Sequence, residues 1–427
     1  MRRLARRAGA PVGRAARRCF ASAVTVSLPS IAVVGTGRMG QLRVEGIKAD
    51  GASRLGWVVD SDVEAAKALG DKWDTRHTGD LSEALADDTV DAVWLSTPTP
   101  THVDLIMQSL AAGKAVVVEK PVATTPEEIN ACYDAAEAAG LPLVCSFQRR
   151  FDPTYVALRE AVQAGDIGSL QNAHCVFRDH PLPPIEFLKV GGDIFHDLIC
   201  HDSDYIAWVA GEQPVSVLAT GTSHIAELRE LGIFDAATAV LQYPSGMICT
   251  MDLNRGCAFG YDQRAEVMGN LGMLQIGNQS DTSLITSTAS GISGHTLMPS
   301  FPERFERAYR LELTHVVDVL TNGAEPVNTA ACTPLPSPGP ALLTPFPFRS
   351  SWSRDGTRSC RRWLQRRAGC RPRRDTRSPS RVSRRDIAGM WVAFFQECQQ
   401  YRCGQATSTA QPSPDRACDQ AQQSSYE

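Results

Sequence analysis

Three side chains of this 427-residue chain could together remove the proton of a hydroxyl group: Lys120, Asp197 and His201. Asp197 and His201 are four residues apart, and on a helix this spacing puts both on one face. A carboxylate beside an imidazole fixes its tautomer and raises its basicity, so we expect His201 to accept the proton and Asp197 to orient it. Lys120 ends an apolar run, and Pro121 would stiffen the turn that presents it to a substrate hydroxyl. The alternative is an Asp–His pair on a solvated helix face and a surface lysine.

A glycine loop follows the apolar run at 31–34 and precedes a helix-compatible stretch to about Lys48. Its first glycine permits a tight turn, its second lets the backbone approach a pyrophosphate, and its third lets the helix pack on the strand. The loop therefore predicts a dinucleotide at the N-terminus of that helix. Its residues are Gly35, Thr36, Gly37, Arg38, Met39 and Gly40.

An acidic residue, Asp60, ends the next strand-like run at 55–59, 20 residues after Gly40. A carboxylate there can accept hydrogen bonds from the adenosine ribose. It would also repel a 2′-phosphate, and no arginine follows directly, so we expect NAD rather than NADP. The alternative is that Asp60 only caps a helix.

Strand-like and helix-like segments alternate up to residue 145, at 92–96, 101–112, 115–118, 126–139 and 141–145. This alternation predicts an α/β Rossmann domain with a doubly wound parallel sheet at 29–149. Ligands bind at the carboxyl ends of such strands. The segments expected there are Thr97–Thr99, Glu119–Pro121 and Gln148–Arg150.

Strand-like runs also recur in the second part of the chain, at 216–221, 237–243, 247–252, 264–269 and 273–277. They predict an α+β domain at 150–327 with an open, mostly antiparallel sheet. We expect this domain to supply the substrate side of the site and the contacts of an oligomer.

Composition argues against several classes of partner. Residues 31–330 carry 20 basic and 40 acidic side chains, which disfavours nucleic acid. No apolar run approaches the roughly 20 residues of a membrane helix. The 13 cysteines show no CxxC or Cys/His spacing, so we predict no metal site and interpret them as thiols in a reducing compartment.

The N-terminal segment differs in composition from the rest of the chain. Residues 1–26 are rich in arginine and free of acids, and Arg18-Cys19-Phe20 before Ala21 resembles a matrix-protease cleavage pattern. We expect a transit peptide and the mitochondrial matrix. If the segment is instead a disordered basic tail or wrongly included upstream sequence, the protein is cytoplasmic.

Several motifs in a fixed order resemble one known family, the glucose–fructose oxidoreductase / inositol dehydrogenase / rhizopine-catabolism (Gfo/Idh/MocA) family, over about residues 30–327. The last three of them are similar to its inositol 2-dehydrogenase subgroup. Besides the glycine loop, the motifs are Ser96–His102 (STPTPTH), Val118–Pro121 (VEKP), Ser146–Pro153 (SFQRRFDP), Gly191–Asp204 (GGDIFHDLICHDSD), Gly260–Val267 (GYDQRAEV) and Phe301–Phe305 (FPERF) with Ala308 and Tyr309.

The resemblance implies NAD-dependent oxidation of a secondary alcohol of myo-inositol, or of a related cyclic polyol or sugar, to a ketone. It implies a homo-oligomer, a dimer or tetramer, and it supports catalytic roles for Lys120, Asp197 and His201. The implied cofactor contacts besides the glycine loop are Asp60, Ser96, Thr97, Pro98, His102, Glu119 and Lys120. The implied polyol contacts are Arg149, Asp179, Asp204 and Tyr261.

Two departures from the family leave alternatives open. Phe177 and Asp179 stand where relatives often have a polyol-binding His and Asn, so the substrate could be a related polyol or sugar. From about Val327 the chain is Pro-rich and then holds 14 Arg and no Lys within 349–385. This composition of 328–427 is typical of a gene-model or splicing artefact, and a basic disordered interaction tail is the rival. The chain could therefore also be an inactive product, or a non-catalytic NAD-binding regulator.

Overall fold

Two six-stranded β-sheets form the framework of the residues that the computed structural model describes, which are 28–190, 194–294 and 296–327. The predicted transit peptide at 1–26 and the atypical tail at 328–427 lie outside these residues. So do Gly191 and Gly192 of the GGDIF motif.

All strands of the first sheet run parallel, in the spatial order β3-β2-β1-β4-β5-β6. The strand order reverses between β1 and β4, and ligands bind outside the carboxyl ends of the strands at such a point. This sheet confirms the predicted doubly wound fold. Its strands are β1 (Ser30–Val34), β2 (Arg54–Val59), β3 (Arg76–Thr78), β4 (Ala92–Leu95), β5 (Ala115–Glu119) and β6 (Leu143–Ser146). Its helices are α1 (Arg38–Asp50), α2 (Val63–Trp73), α3 (Leu81–Leu85), α4 (His102–Ala111) and α5 (Pro126–Ala139).

The central strands of this sheet are buried along their whole length. Alternate residues of β1 enter two separate apolar clusters: Ile31 and Val33 pack into one, Ala32 and Val34 into the other. Because apolar groups cover both faces, these strands have unbroken apolar sequences rather than an alternating pattern.

The second sheet has the order β12-β11-β7-β10-β9-β8 and is antiparallel except where β7 lies beside β10. The mostly antiparallel character matches the prediction, but its central strand β7 was not predicted. The strands are β7 (Leu170–Arg178), β8 (Ser216–Thr222), β9 (Ala236–Gln242), β10 (Ile248–Asn254), β11 (Asp262–Gly269) and β12 (Met273–Ile276). The other elements are α6 (Pro153–Ala164), α7 (Ile185–Val190), α8 (Cys200–Ala210), α9 (Ala226–Glu230), β13 (Thr286–Thr288), β14 (Gly291–Ser293), α10 (Phe301–Arg304) and α11 (Glu306–Asn322).

The two faces of the second sheet have different surroundings. One face packs against α6 and α8 in a large apolar cluster that includes Tyr155 and Tyr205. The opposite face is open within the described residues, and it exposes Leu218, Met268 and Met273 by 71%, 45% and 51%. The second domain therefore has one covered and one uncovered sheet face.

Helix α11 returns from the second domain to the first. It packs beside α1, and its Leu313 and Val316 complete one of the apolar clusters of the parallel sheet. This contact fixes the orientation of the two sheets. No helix among the described residues is long and apolar enough to cross a membrane.

Candidate active site

A cavity of about 1650 Å³ lies between the carboxyl edge of the parallel sheet and the second domain. The glycine loop after β1 forms one wall, and residues that follow β7 and residues around the start of α8 form the opposite wall. Fifteen of the predicted site residues line it. They are Gly35, Thr36, Gly37, Arg38, Met39, Asp60, Ser96, Thr97, Pro98, Glu119, Lys120, Asp179, Asp197, His201 and Tyr261.

The glycine loop has the geometry that a pyrophosphate requires. Gly35 has a φ of +96°, and a Cβ there would lie 2.6 Å from the Ser96 carbonyl oxygen. A Cβ on Gly40 would lie 1.8 Å from the Gly35 carbonyl oxygen, which explains the tight packing of α1 on β1. A Cβ on Gly37 would meet nothing within 4 Å, and no side chain caps α1 there. The loop thus leaves open space and the N-terminal amides of α1 for an anionic group.

Asp60 both lines the cavity and holds the loop. Its Oδ2 accepts hydrogen bonds from the Thr36 backbone N–H at 2.7 Å and from the Thr36 hydroxyl at 2.8 Å. Its Oδ1 accepts from the Asp62 N–H at 2.9 Å. Asp80 lines the same end of the cavity. Two carboxylates at this end favour the ribose hydroxyls of NAD over the 2′-phosphate of NADP.

His102, a predicted cofactor contact, does not line the cavity. It is 1% exposed, and its ring nitrogens lie 2.9 Å from the carbonyl oxygens of Thr97 and Pro121. The ring therefore ties the loop after β4 to the loop after β5. Both loops line the cavity, so His102 supports the cofactor wall from behind.

Lys120 and Asp197 form an ion pair on the cavity wall. The Lys120 ammonium group donates to Asp197 Oδ1 at 2.7 Å and to the Asp197 carbonyl oxygen at 2.9 Å. Burial alone would lower the pKa of Lys120, but the Asp197 charge outweighs it and raises that pKa above its ordinary value. Lys120 is therefore a cation with one N–H left for a ligand.

Arg255 binds the other oxygen of the same carboxylate, with its NH1 donating to Asp197 Oδ2 at 2.8 Å. Burial opposes ionisation of Asp197, yet Lys120 and Arg255 hold its pKa far below the ordinary range. The prediction that Asp197 orients His201 is thereby corrected. Residues Phe195–Ile199 form a wider π-helical turn before α8 begins at Cys200, so the α-helical spacing that we assumed does not apply.

His201 lies on the cavity wall between two aromatic rings. Its ring centroid is 6.3 Å from that of Phe147 and 6.1 Å from that of Phe177. Its Nδ1 is buried and has no hydrogen-bond partner among the described residues. Burial, aided by the charges of Lys120 and Arg149, holds the pKa of His201 well below its ordinary value. The ring is therefore neutral near pH 7 and able to accept a proton.

The predicted polyol contacts separate into two groups. Asp179 and Tyr261 line the cavity. Burial, with the nearby Asp197 charge, raises the pKa of Asp179 to about 6. Arg149 and Asp204 instead lie behind the wall, and this position corrects the contacts that we predicted for them.

Both displaced residues are held in buried ion pairs. Arg149 is 2% exposed and donates to Asp202 and, at 2.6 Å, to Gln263. Asp204 accepts two hydrogen bonds from Arg150, at 2.9 and 2.6 Å. A buried charge needs such partners, so these residues stabilise the wall from inside the second domain.

Sequence reasoning missed Arg255 and a buried network next to Lys120. In that network Arg43 donates to Glu119 at 2.8 Å and to Glu312 at 2.9 Å. Arg43 and Glu312 each occupy a buried helix face, beside Val44 in α1 and Leu313 in α11. A charged residue on the apolar face of a predicted helix indicates a buried ion pair, because such a residue needs a partner inside the protein.

No cluster of His, Cys, Asp or Glu that could hold a metal ion exists among the described residues. The six described cysteines are all buried and unbridged.

Comparison with known proteins agrees with this geometry. Residues 30–147 match the GFO_IDH_MocA model, described as an oxidoreductase family with an NAD-binding Rossmann fold, and residues 155–275 match the GFO/IDH/MocA C-terminal domain. The first match confirms NAD as the cofactor.

Individual relatives align over both domains. The chain is 35% identical to an inositol 2-dehydrogenase of Rhizobium meliloti, over 69% of this chain and 89% of that protein. It is 33% identical to a scyllo-inositol 2-dehydrogenase (NAD(+)) of Bacillus subtilis, over 70% and 88%. A crystal structure of scyllo-inositol dehydrogenase from Lactobacillus casei with bound NAD(H) and scyllo-inositol superposes with a TM-score of 0.67 at 25% identity, over 71% and 92%.

Proposed function

Because the chain belongs to the Gfo/Idh/MocA family of NAD-dependent oxidoreductases, we propose that it oxidises one secondary alcohol of a cyclic polyol of the inositol class to a ketone. The observation that carries this proposal is the meeting of Lys120, Asp197 and His201 on the wall of the cavity that the glycine loop also lines. The relatives described above are named as inositol dehydrogenases, and this supports the substrate class.

The residues divide the work of an alcohol oxidation between them. NAD, when bound, accepts the hydride from the carbon. The open amides at Gly37 fit its pyrophosphate, and Asp60 fits its ribose. The protein must then supply a base for the hydroxyl proton, since an alcohol is a poor acid.

Proton transfer falls to His201 and Lys120. The neutral His201 ring takes the hydroxyl proton, and the remaining N–H of the Lys120 ammonium donates to the substrate oxygen as negative charge develops on it. Asp197 stays ionised and fixes Lys120 through two hydrogen bonds. The alcohol group thus loses a hydride from its carbon and a proton from its oxygen, and the ketone remains.

The substrate half of the cavity suits a ring with many hydroxyls and one apolar face. Asp179 offers carboxylate oxygens, while Phe177 offers an aromatic wall beside His201. This combination fits myo-inositol, scyllo-inositol or a closely related cyclitol or sugar.

We also propose a homo-oligomer that covers the open face of the second sheet. Leu218 and Met273 on that face are more than half exposed, and burial of such side chains favours association. A mitochondrial location remains our proposal from residues 1–26.

The test is an assay of the purified full chain with NAD and a panel of inositols and hexoses, followed by NADH absorbance. We expect turnover with at least one cyclitol, and a fall of about 1000-fold in kcat for Lys120→Met. The matched control is Lys114→Met, because Lys114 is buried, does not line the cavity, and donates to the Asp87 and Val90 carbonyl oxygens. If NAD binds but no polyol or sugar is oxidised, the proposal fails and the result favours a non-catalytic NAD-binding regulator.

A further inference from the structure

We propose that Arg255 is a positioning residue for the proton transfer, because it holds the Asp197 carboxylate that presents Lys120 to the substrate. This inference rests on the proposed function. Arg255 is 0% exposed and does not line the cavity, so it acts through Asp197 rather than on the substrate.

The position of Arg255 is fixed by the backbone at the end of β10. Its N–H donates to the Asp235 carbonyl oxygen at 2.8 Å, and the Gly256 N–H donates to Asn254 Oδ1 at 2.7 Å. The Asp235 carboxylate in turn accepts from the His224 and Ile225 N–H groups. The guanidinium therefore reaches Asp197 from a rigid anchor in the second domain.

Asp197 is consequently shared between two domains. Lys120, directly after β5 of the parallel sheet, binds Oδ1 at 2.7 Å, and Arg255 binds Oδ2 at 2.8 Å from the opposite side. A carboxylate held at both oxygens cannot rotate, so the direction of the Lys120 ammonium is fixed as well. Arg255 thereby couples the cofactor domain to the substrate domain through one side chain.

Arg255 also determines the net charge of the group that it forms with Asp197 and Lys120. Lys120, Arg255 and Asp197 together carry one positive charge, and without Arg255 they carry none. The charged groups that act on His201 are Lys120, Arg149 and Asp197. Those that act on Asp179 are Asp197, Arg255 and Arg38, and the two arginines lower its pKa.

Loss of the Arg255 charge should therefore raise the pKa of Asp179. Asp179 lines the cavity and accepts hydrogen bonds from a hydroxyl best when it is ionised, so a higher Asp179 pKa moves the acid limb of the kcat/KM profile to higher pH. Removing one cation that acts on a carboxyl corresponds to a movement of about one pH unit.

The experiment compares the full-length wild type with Arg255→Met, Arg255→Lys and Arg150→Met. In Arg255→Met we expect kcat to fall about 100-fold, as for a misplaced catalytic group, with unchanged NAD affinity and the acid limb moved upward. Arg255→Lys keeps the charge, so its acid limb should stay at the wild-type pH. Arg150→Met removes another buried arginine, paired with Asp204 outside the cavity, and should leave the limb in place.

A second readout does not depend on turnover. The Asp179 carboxyl is titrated by NMR, its signals assigned with Asp179→Asn, and its midpoint should rise in Arg255→Met but not in Arg255→Lys. If the methionine variant does not fold, Arg255→Gln replaces it, since it keeps a polar side chain but no charge, and it should give the same movement of the midpoint.

The outcomes separate the two proposals. An active wild type whose folded Arg255→Met variant retains both kcat and the Asp179 midpoint overturns the role of Arg255. An equal movement of the midpoint in Arg150→Met overturns it too. A wild type that is inactive on every polyol, with the Asp179 midpoint moving as expected in Arg255→Met, refutes the function and leaves the charge arrangement standing.

Discussion

Glu312 in α11 provides a test of the buried network that supports the active site. Its side chain is 0% exposed, and its two oxygens accept from Arg43 and from the Ser146 hydroxyl, each at 2.9 Å. Burial, together with the charge of Glu119, raises the pKa of Glu312 from 4.5 to about 6. Glu312→Gln replaces this acid with a neutral group of nearly equal size.

The size of the effect follows from the pKa. A carboxyl whose pKa is higher in the folded state stabilises the fold below pH 4.5, and this contribution is lost as the pH rises through about 6. A rise from 4.5 to about 6 corresponds to about 2 kcal/mol. The free energy of unfolding of the wild type should therefore lose about 2 kcal/mol relative to Glu312→Gln between pH 4.5 and about pH 7.

Urea unfolding of both proteins across this pH range measures the difference. Glu306→Gln is the control on the same helix, because the Glu306 side chain is 72% exposed and its difference from wild type should stay flat. A Glu312→Gln difference that is constant with pH, or that changes in the wild type's favour as the pH rises, would refute the reasoning.

Two further predictions concern the cofactor wall. Gly40→Ala should prevent stable folding, because its Cβ would lie 1.8 Å from the Gly35 carbonyl oxygen, whereas Gly37→Ala should fold and lose at least about tenfold in NAD affinity. Calorimetric NAD titration checks this, and wild-type affinity in Gly37→Ala would contradict it. Asp60→Asn removes the charge opposite a 2′-phosphate, so the NADP-to-NAD ratio of kcat/KM should rise about tenfold or more; an unchanged ratio would count against the assigned role of Asp60.

The parallel sheet could be predicted because its strands are buried on both faces. Runs such as 31–34 and 115–118 are unbroken apolar sequences, and the glycine loop fixed the start of the fold. Strand β7 escaped prediction although it is central in its sheet. Its first half is polar and exposed at Gln171 and Asn172, and apart from Ala173 its buried residues are only Cys175–Phe177, so the apolar run is too short to stand out from a loop.

The candidate site was predictable residue by residue but not contact by contact. Spacing placed Asp197 and His201 close together, and both do line the cavity. Spacing could not reveal that two distant cations, Lys120 and Arg255, bind the carboxylate that we had assigned to His201. Competition between ion pairs depends on tertiary packing, and no local pattern encodes it.

The same limit explains Arg149 and Asp204. Each occurs in a motif of the family, and a charged residue in a motif suggests a ligand contact. Charged residues can instead pair with each other inside the domain. Arg149 pairs with Asp202 and Asp204 pairs with Arg150, and the partners belong to the same two motifs. Only the fold distinguishes a charge that faces a ligand from one that faces another charge.

The most direct test of the central claim follows the hydride itself. The full chain is incubated with NAD and an inositol that carries deuterium at each ring carbon, and the reduced cofactor is analysed by mass spectrometry. We predict that one deuterium appears in the reduced nicotinamide and that an inosose forms in equal amount. Reduced cofactor without deuterium, or no reduced cofactor with any deuterated cyclitol despite NAD binding, would contradict an alcohol oxidation at this site.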